Sequence, residues 1–424
     1  MAVDEAHSED RFKQLYGYQA GYLPSDFEGL LRFQRWLKWA AEEAAADEPD
    51  RPMADSVAAL ARLLFVDGVT RMYVDEMIRE VPAKLRTVED IPQLLTQLNH
   101  IVRLAPRWEE DPKKRVFFPM SALFGQMMIT EAGEAAFRQG PFNDAIRGIL
   151  KEWCAYLDSW NSRTVLNEGP NGWLCEAAYA YNKLDEFVIP DRAAPHWGWS
   201  SYNAFFHREI KASARPIAEP GNPKAVISAN DGTVYRISRG LKAEDRFWLK
   251  GQPYSLVNML AGSAYLDRFL GGDVFQSFLS GANYHRLHAP VTGIVREAYV
   301  VEGLMFGSYK TGTDPQGIES QGYQASVNTR GLIFIESDDP VIGLVCCIPI
   351  GITEISSIRL GVQRAAGEEG RGDRALLLWR LQHGARLPAG CHRPVRGGAR
   401  VARSGPDAGP GQRPDRRREL RRPT

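Results

Sequence analysis

Cysteine is scarce and odd in number, with Cys154, Cys175, Cys346, Cys347 and Cys391 as the full set. No two have C-x-x-C spacing, so neither a disulfide framework nor a cysteine zinc ribbon is expected, and a reducing, cytoplasmic setting fits best. The adjacent Cys346 and Cys347 lie in an apolar run and read as small buried hydrophobes. No stretch approaches the ~18 consecutive apolar residues of a membrane span. The opening Met1-Ala2-Val3-Asp4-Glu5 lacks a basic segment followed by an apolar one, so no signal peptide is expected. Net charge is missing too: 52 Lys and Arg balance 52 Asp and Glu, which argues against a chain-wide affinity for nucleic acid or anionic lipid.

That balance averages two unlike pieces. Residues 364–424 hold 15 Arg, no Lys and six acidic residues, a charge of +9, and the 363 residues before them carry −9. The tail also has ten Gly, eight Ala and six Pro, and it lacks Ile, Phe, Tyr, Met and Asn. A nucleic-acid arm would interleave Lys, Ser or aromatics. Disorder, or translation outside the natural frame, describes this composition better. The whole chain has 424 residues, 44% hydrophobic and 25% charged, which is globular composition with room for two or three domains.

Residues 1–190 carry helical periodicity. Ser25-Asp26-Phe27-Glu28 reads as a capping box, with Ser25 the cap and Glu28 reaching back. Leu94, Leu95, Leu98, Ile101 and Val102 form one stripe, and Ile146, Ile149, Leu150, Trp153, Leu157 and Trp160 another, at i, i+3, i+4, i+7. Core packing explains these tryptophans better than a ligand box. Residues 191–222 are a proline-broken connector in which only Tyr202 to Lys211 reads as helix. From 223 the pattern changes to short β-branched and aromatic runs: 225–228, 233–237, 291–295, 331–336, 341–348 and a further one over 352–360. The expected class is α+β, a helical N-terminal domain followed by a β-rich, sandwich-like domain over 223–363.

The densest polar segment is Asn283-Tyr284-His285-Arg286-Leu287-His288-Ala289-Pro290, which holds two of the eight histidines three apart. Three readings stay open for it: a structural pair, a metal site lacking a convincing third ligand, and acid–base chemistry near neutral pH. Ala229-Asn230-Asp231-Gly232 reads by itself as a turn.

A family resemblance emerges when six segments are taken in order. Phe205-Phe206-His207-Arg208 with Lys211 and Arg215-Pro216-Ile217, Ser228-Ala229-Asn230-Asp231-Gly232, Lys250-Gly251 with Tyr254-Ser255-Leu256, Tyr284 to Pro290, Asn328-Thr329-Arg330, and Thr353-Glu354-Ile355 resemble the successive motifs of phosphatidylserine decarboxylases. The helical half, through Asn171-Gly172-Trp173-Leu174 and Gly198-Trp199-Ser200-Ser201-Tyr202, is similar to the branch that includes fungal L-tryptophan decarboxylase.

The resemblance implies a pyruvoyl enzyme: a self-cleaving proenzyme whose Gly-Ser-[Ser/Thr] serine becomes a covalent pyruvoyl group that forms a Schiff base with an amino acid or aminophospholipid and releases CO2. By motif, Asp231 and His288 would activate that serine, because a hydroxyl needs a base and the base an orienting carboxylate. His285 would handle protons during decarboxylation. Tyr284 and Arg286 alternate away from it. The implied partner is the small-molecule substrate, with no nucleic acid and no integral membrane segment, and a homodimer is expected from relatives that are often dimeric.

One element of the family pattern is missing. No Gly-Ser-Ser or Gly-Ser-Thr follows Ser357, and the single later serine, Ser404, sits in Arg-Ser-Gly-Pro. Codons for Leu378 to His383 read one base later permit Phe-Gly-Gly-Ser-Ser, so a frameshift near Gln363 is expected to have produced 364–424. The chain as written is then an inactive, poorly stable proenzyme with sheet edges left open. The alternatives are a non-catalytic binding or structural relative, and a metal hydrolase using His285 and His288.

Overall fold

Helices fill the first half of the chain and antiparallel strands the second. The computed structural model describes residues 23–24, 26–244, 255–279, 281, 283–307, 321–364 and 375–382. Ser25, Lys250, Gly251, Tyr254, Cys391, Ser404 and most of the tail therefore lie outside the described residues. The described part falls within one compact unit.

Helix α1 (Phe27–Asp47) is capped by Asp26, whose carboxylate accepts from the Gly29 N–H. The cap is thus one residue later than the capping box predicts. Residue N3 becomes Gly29, which has no side chain to reach back, so Glu28 acts only as a first-turn acid. Helices α2 (Asp55–Val66), α3 (Gly68–Arg79) and α4 (Ile91–Ile101) follow, then α5 (Pro119–Phe124), α6 (Glu131–Arg138) and α7 (Gly140–Leu157). Asp90 caps α4, and Leu94, Leu95, Leu98 and Ile101 are buried as the stripe predicts. Helix α7 buries Ile146, Ile149, Leu150, Trp153 and Leu157, and the Trp153 indole donates to the Leu104 carbonyl at 2.8 Å.

Trp160 departs from that stripe. The helix stops at Leu157 and Trp160 opens a 3-10 turn, which rotates it off the buried face and leaves it 72% exposed under the Arg163 guanidinium. Gly172 marks a close approach: a Cβ there would stand 1.9 Å from the Asn167 carbonyl oxygen. Its neighbour Trp173 is buried and donates to the Pro106 carbonyl at 2.8 Å.

Two short helices, α8 (Glu176–Tyr181) and α9 (Tyr202–Phe206), close the helical half. The helix expected to reach Lys211 ends at Phe206, because residues 209–211 pair instead with 186–188 through Val188 N–H to Glu209 O, Lys211 N–H to Glu186 O and a Phe187–Ile210 bridge. Helices α10 (Leu256–Met259) and α11 (Gln321–Val327) lie among the strands.

Strand β1 (Thr233–Arg239) pairs with β2 (Asp273–Phe278). Strands β4 (Gly293–Val301), β5 (Arg330–Ser337) and β6 (Leu344–Cys347) form a second sheet in that order, and β3 (Arg286–Leu287), β8 (Ala375–Gln382) and β7 (Ser357–Arg364) a third, in the order β3-β8-β7. All pairs are antiparallel, so the α+β class holds. No strand forms over 225–228, where a single Ile227 N–H to Pro290 O bond stands in its place. The strand expected over 352–360 begins at Ser357, because Ile352 and Ile355 bond each other around a tight turn with Thr353 at φ 48°.

The tail also needs correction. Ala375–Gln382 is a strand with the neighbouring β7 and β3 on its two sides, where disorder was expected for all of 364–424. Leu376-Leu377-Leu378-Trp379 is an apolar run suited to a strand, and an unpaired strand edge offers it a full row of backbone donors and acceptors.

Strand β5 explains how the halves join. Ile333 and Ile335 belong to the large core shared with the helices, whereas Leu332 and Phe334 join a second cluster with Leu241, Leu256, Met259, Leu260 and Ala325. Burial on both faces is why its apolar run does not alternate with polar residues. Cys347 and Cys346 pack against these same two clusters but are only half-buried in the residue sense. Phe306 is wedged against Phe124 and Phe137 of the helices, with centroids 5.6 and 5.5 Å away. Polar ties reinforce this seam: Met305 N–H donates to Asn143 Oδ1 at 2.9 Å, and Glu354 accepts from the Met120 and Ser121 N–H groups and the Ser121 hydroxyl.

Candidate active site

Two loops run side by side to build the site. The His288 N–H donates to the Ala229 carbonyl at 2.8 Å, Asn283 Nδ2 donates to the Asp231 carbonyl at 3.0 Å, and Ile227 N–H bonds Pro290 O at 2.9 Å. The turn before β1 is fixed by Asn230, whose Oδ1 accepts from the Gly232 N–H at 2.8 Å and from the Ser277 hydroxyl at 2.9 Å. Residues that the sequence separates by more than fifty positions, Asp231 and His288, are thereby brought into one neighbourhood.

The Asp231 carboxylate is gripped by Arg215, with Nη2 at 2.8 Å and Nε at 2.9 Å from Oδ2. His288 Nε2 and the Tyr284 hydroxyl are hydrogen-bonded at 3.0 Å. Burial, assisted by the positive charge of Arg286, lowers the His288 pKa, and the negative charge of Asp231 opposes that shift. His288 is therefore held toward its neutral form, the form that can accept a proton. Burial pushes the Tyr284 phenol up to about 12, so it stays a neutral donor.

His285 faces the other way. It is 1% exposed, stacks on the Phe206 ring at 4.3 Å and 21°, and has Nε2 3.3 Å from the Gly281 carbonyl oxygen. A spacing of three in an extended segment sends two side chains to opposite faces, so His285 and His288 do not converge on one point. Among the described residues no group of three His, Cys, Asp or Glu is placed to hold a metal ion.

Arg286 is structural. Its buried guanidinium donates to the His207 carbonyl and to Glu209 Oε1, both at 2.8 Å, and so ties the Phe205–Arg208 segment beneath the histidine strand. Asn328 and Arg330 also brace backbone: Asn328 Nδ2 donates to Gly351 O at 2.9 Å, and Arg330 donates to the carbonyls of Met259 at 2.8 Å and Asn328 at 3.0 Å.

The sequence reading assigned no role to Arg215, Glu186 or Glu209. Arg215 was visible only as part of Arg215-Pro216-Ile217; the ion pairs that engage it span 16 and 29 residues with no periodicity to reveal them. Glu354 was legible as a motif residue, but its burial against α5 was not.

The comparisons agree with this organisation. Two family models, both described as phosphatidylserine decarboxylase, match residues 54–181 and 202–390. The decarboxylase iboD of Amanita muscaria is 34% identical over 276 residues, 59% of this chain and 79% of its own length. The L-tryptophan decarboxylase of Psilocybe cubensis is 30% identical over 315 residues, 68% of this chain and 70% of its own. The phosphatidylserine decarboxylase proenzyme 3 of Schizosaccharomyces pombe is 32% identical over 168 residues, 40% of this chain and 16% of its own. Among the described residues no helix is long and apolar enough to cross a membrane. With both halves matched and the motif loops assembled around Asp231 and His288, the chain belongs to the phosphatidylserine decarboxylase family, in its tryptophan decarboxylase-like branch.

Proposed function

We propose that this chain derives from a self-processing decarboxylase of free amino acids, and that in the form written here it is inactive. The observation that carries the reading is the side-by-side placement of the 227–232 and 283–290 loops, which sets a carboxylate, Asp231, near an imidazole held neutral, His288. In this reading Asp231 supports the positive charge that appears on His288 when it takes a proton from a hydroxyl. His285, buried on the opposite face of the same segment, handles protons on the substrate side.

The residues present do not fit the family's electron sink, a pyruvoyl group made from a serine of the chain. No Gly-Ser-Ser or Gly-Ser-Thr follows Ser357. Arg286 pairs with Arg380 and Leu287 with Trp379, and extending that antiparallel register by one residue would set residue 381, a leucine, opposite His285. In the frame shifted by one base, codon 381 can read serine within Phe-Gly-Gly-Ser-Ser. The general-base pair then has no hydroxyl to act on, and the frameshift is the cause. The family match continuing to residue 390 supports a tail that still occupies the family's place in the chain.

Relatives that cover more than half of this chain include an L-tryptophan decarboxylase at 68% and iboD at 59%, whereas the phosphatidylserine decarboxylase proenzyme 3 match covers 40%. This favours a free amino acid with a large side chain over a phospholipid as the substrate of the in-frame enzyme. A second reading, a non-catalytic relative, draws on the pairing of β8 into the sheet as written.

The coding DNA across codons 355–400 decides between them. A shifted frame that reads Gly-Ser-Ser supports the first reading, and an intact frame ending as written supports the second. The protein expressed as written should remain uncleaved on a denaturing gel and yield no amine from tryptophan or from phosphatidylserine vesicles; cleavage or amine product would overturn the inactivity.

A further inference from the structure

Arg215 spans two carboxylates from different halves of the chain. Its Nε lies 3.1 and 2.9 Å from the two Asp231 oxygens and its Nη2 2.8 Å from Oδ2, while Nη1 lies 2.8 Å from Glu186 Oε2 and donates to the Ala214 carbonyl at 2.8 Å. Glu186 ends the 3-10 turn Leu184–Glu186, and that turn is fixed by the pairing of 186–188 with 209–211, a segment that ends four residues before Arg215. On the other side, Asn230 and Asn283 fix the Asp231 backbone. What these bonds leave adjustable is the direction of the Asp231 carboxylate, and Arg215 sets it. Asp231 and His288, both described, share no hydrogen bond: one is bound to Arg215, the other to Tyr284.

We infer that Arg215 is a positioning residue: held from behind by Glu186, it fixes the direction of the Asp231 carboxylate and keeps it out of hydrogen-bond contact with His288. The chemistry is direct. A carboxylate in hydrogen-bond contact with an imidazole raises its proton affinity strongly, whereas one held out of contact supports the same positive charge more weakly. An arginine suits the task because its planar fork grips a carboxylate through two nitrogens and never loses its charge. The groups facing His288 are Asp231 from the neighbouring loop, and Tyr284 and Arg286 from its own segment, with Glu209 paired to Arg286. The inference rests on the proposed Asp231–His288 pairing.

The test is an NMR pH titration of the histidine ring protons in the full chain, with the His288 signal identified by its disappearance in His288→Gln. Asp231→Asn should shift the His288 midpoint downward, because the favourable charge goes. Arg215→Gln should shift it upward, because the released carboxylate closes onto the ring. Arg215→Lys keeps the charge but loses the fork, and should fall between wild type and Arg215→Gln. An unmoved midpoint in Asp231→Asn overturns the pairing and the inference together. A downward shift in Asp231→Asn without an upward one in Arg215→Gln overturns the inference alone and leaves the arginine a surface tie. Should Arg215→Gln fail to fold, Arg215→Lys decides in the same way: upward supports, unmoved overturns.

Discussion

Glu354 should make the stability of this protein fall between acidic and neutral pH. Its side chain is fully buried where the strand half meets α5, and it accepts from the Ser121 N–H at 3.1 Å, the Ser121 hydroxyl and the Met120 N–H. Burial outweighs those three donors and pushes the carboxyl from an ordinary 4.5 up to about 7. Each pKa unit between folded and unfolded states is worth ~1.4 kcal/mol, so the separation amounts to about 3 kcal/mol. The sign follows from linkage. Below the unfolded value both states are protonated and the contribution is complete; as pH rises the unfolded chain ionises first and is favoured, until the folded carboxyl also ionises near 7 and the loss levels off. Glu354→Gln removes the titration while keeping one acceptor. Urea unfolding of both proteins from pH 4 to 8 isolates the effect, since all other groups contribute equally. The stability of wild type relative to Glu354→Gln should drop by about 3 kcal/mol over that range. A difference that stays constant with pH would refute the burial argument.

Other substitutions check the packing. Trp153→Ala should destabilise by ~3–5 kcal/mol, whereas Trp160→Ala, at a residue 72% exposed, should change stability by ~0.5 kcal/mol; thermal or urea unfolding separates them. Gly172→Ala forces a methyl to within 1.9 Å of the Asn167 carbonyl oxygen and should cost about 2 kcal/mol, read by the same assay. Phe206→Ala removes the ring on which His285 stacks, and should both destabilise by ~3–5 kcal/mol and move the His285 ring-proton shifts in NMR. Unchanged His285 shifts would mean that the stack does not hold the ring.

How much was legible from sequence follows the range of the forces involved. Helix stripes in α4 and α7, the strand runs of β1, β5 and β6, the segment around His285 and His288, and the missing serine motif could all be read directly, because periodicity and motif spacing are properties of neighbouring residues. The cap at Asp26 and the end of α9 at Phe206 were missed by a few residues, since competing local hydrogen bonds decide such boundaries. Strands β2 and β8 escaped altogether: each exists through a partner strand remote in the chain. The same holds for the ion pairs of Arg215 and the burial of Glu354. Which residues could do chemistry was written in their identities. Which of them meet, which face opposite ways, and which carboxylate is held back from which imidazole depended on charge and burial across the folded interior, where contacts between distant segments set the electrostatics.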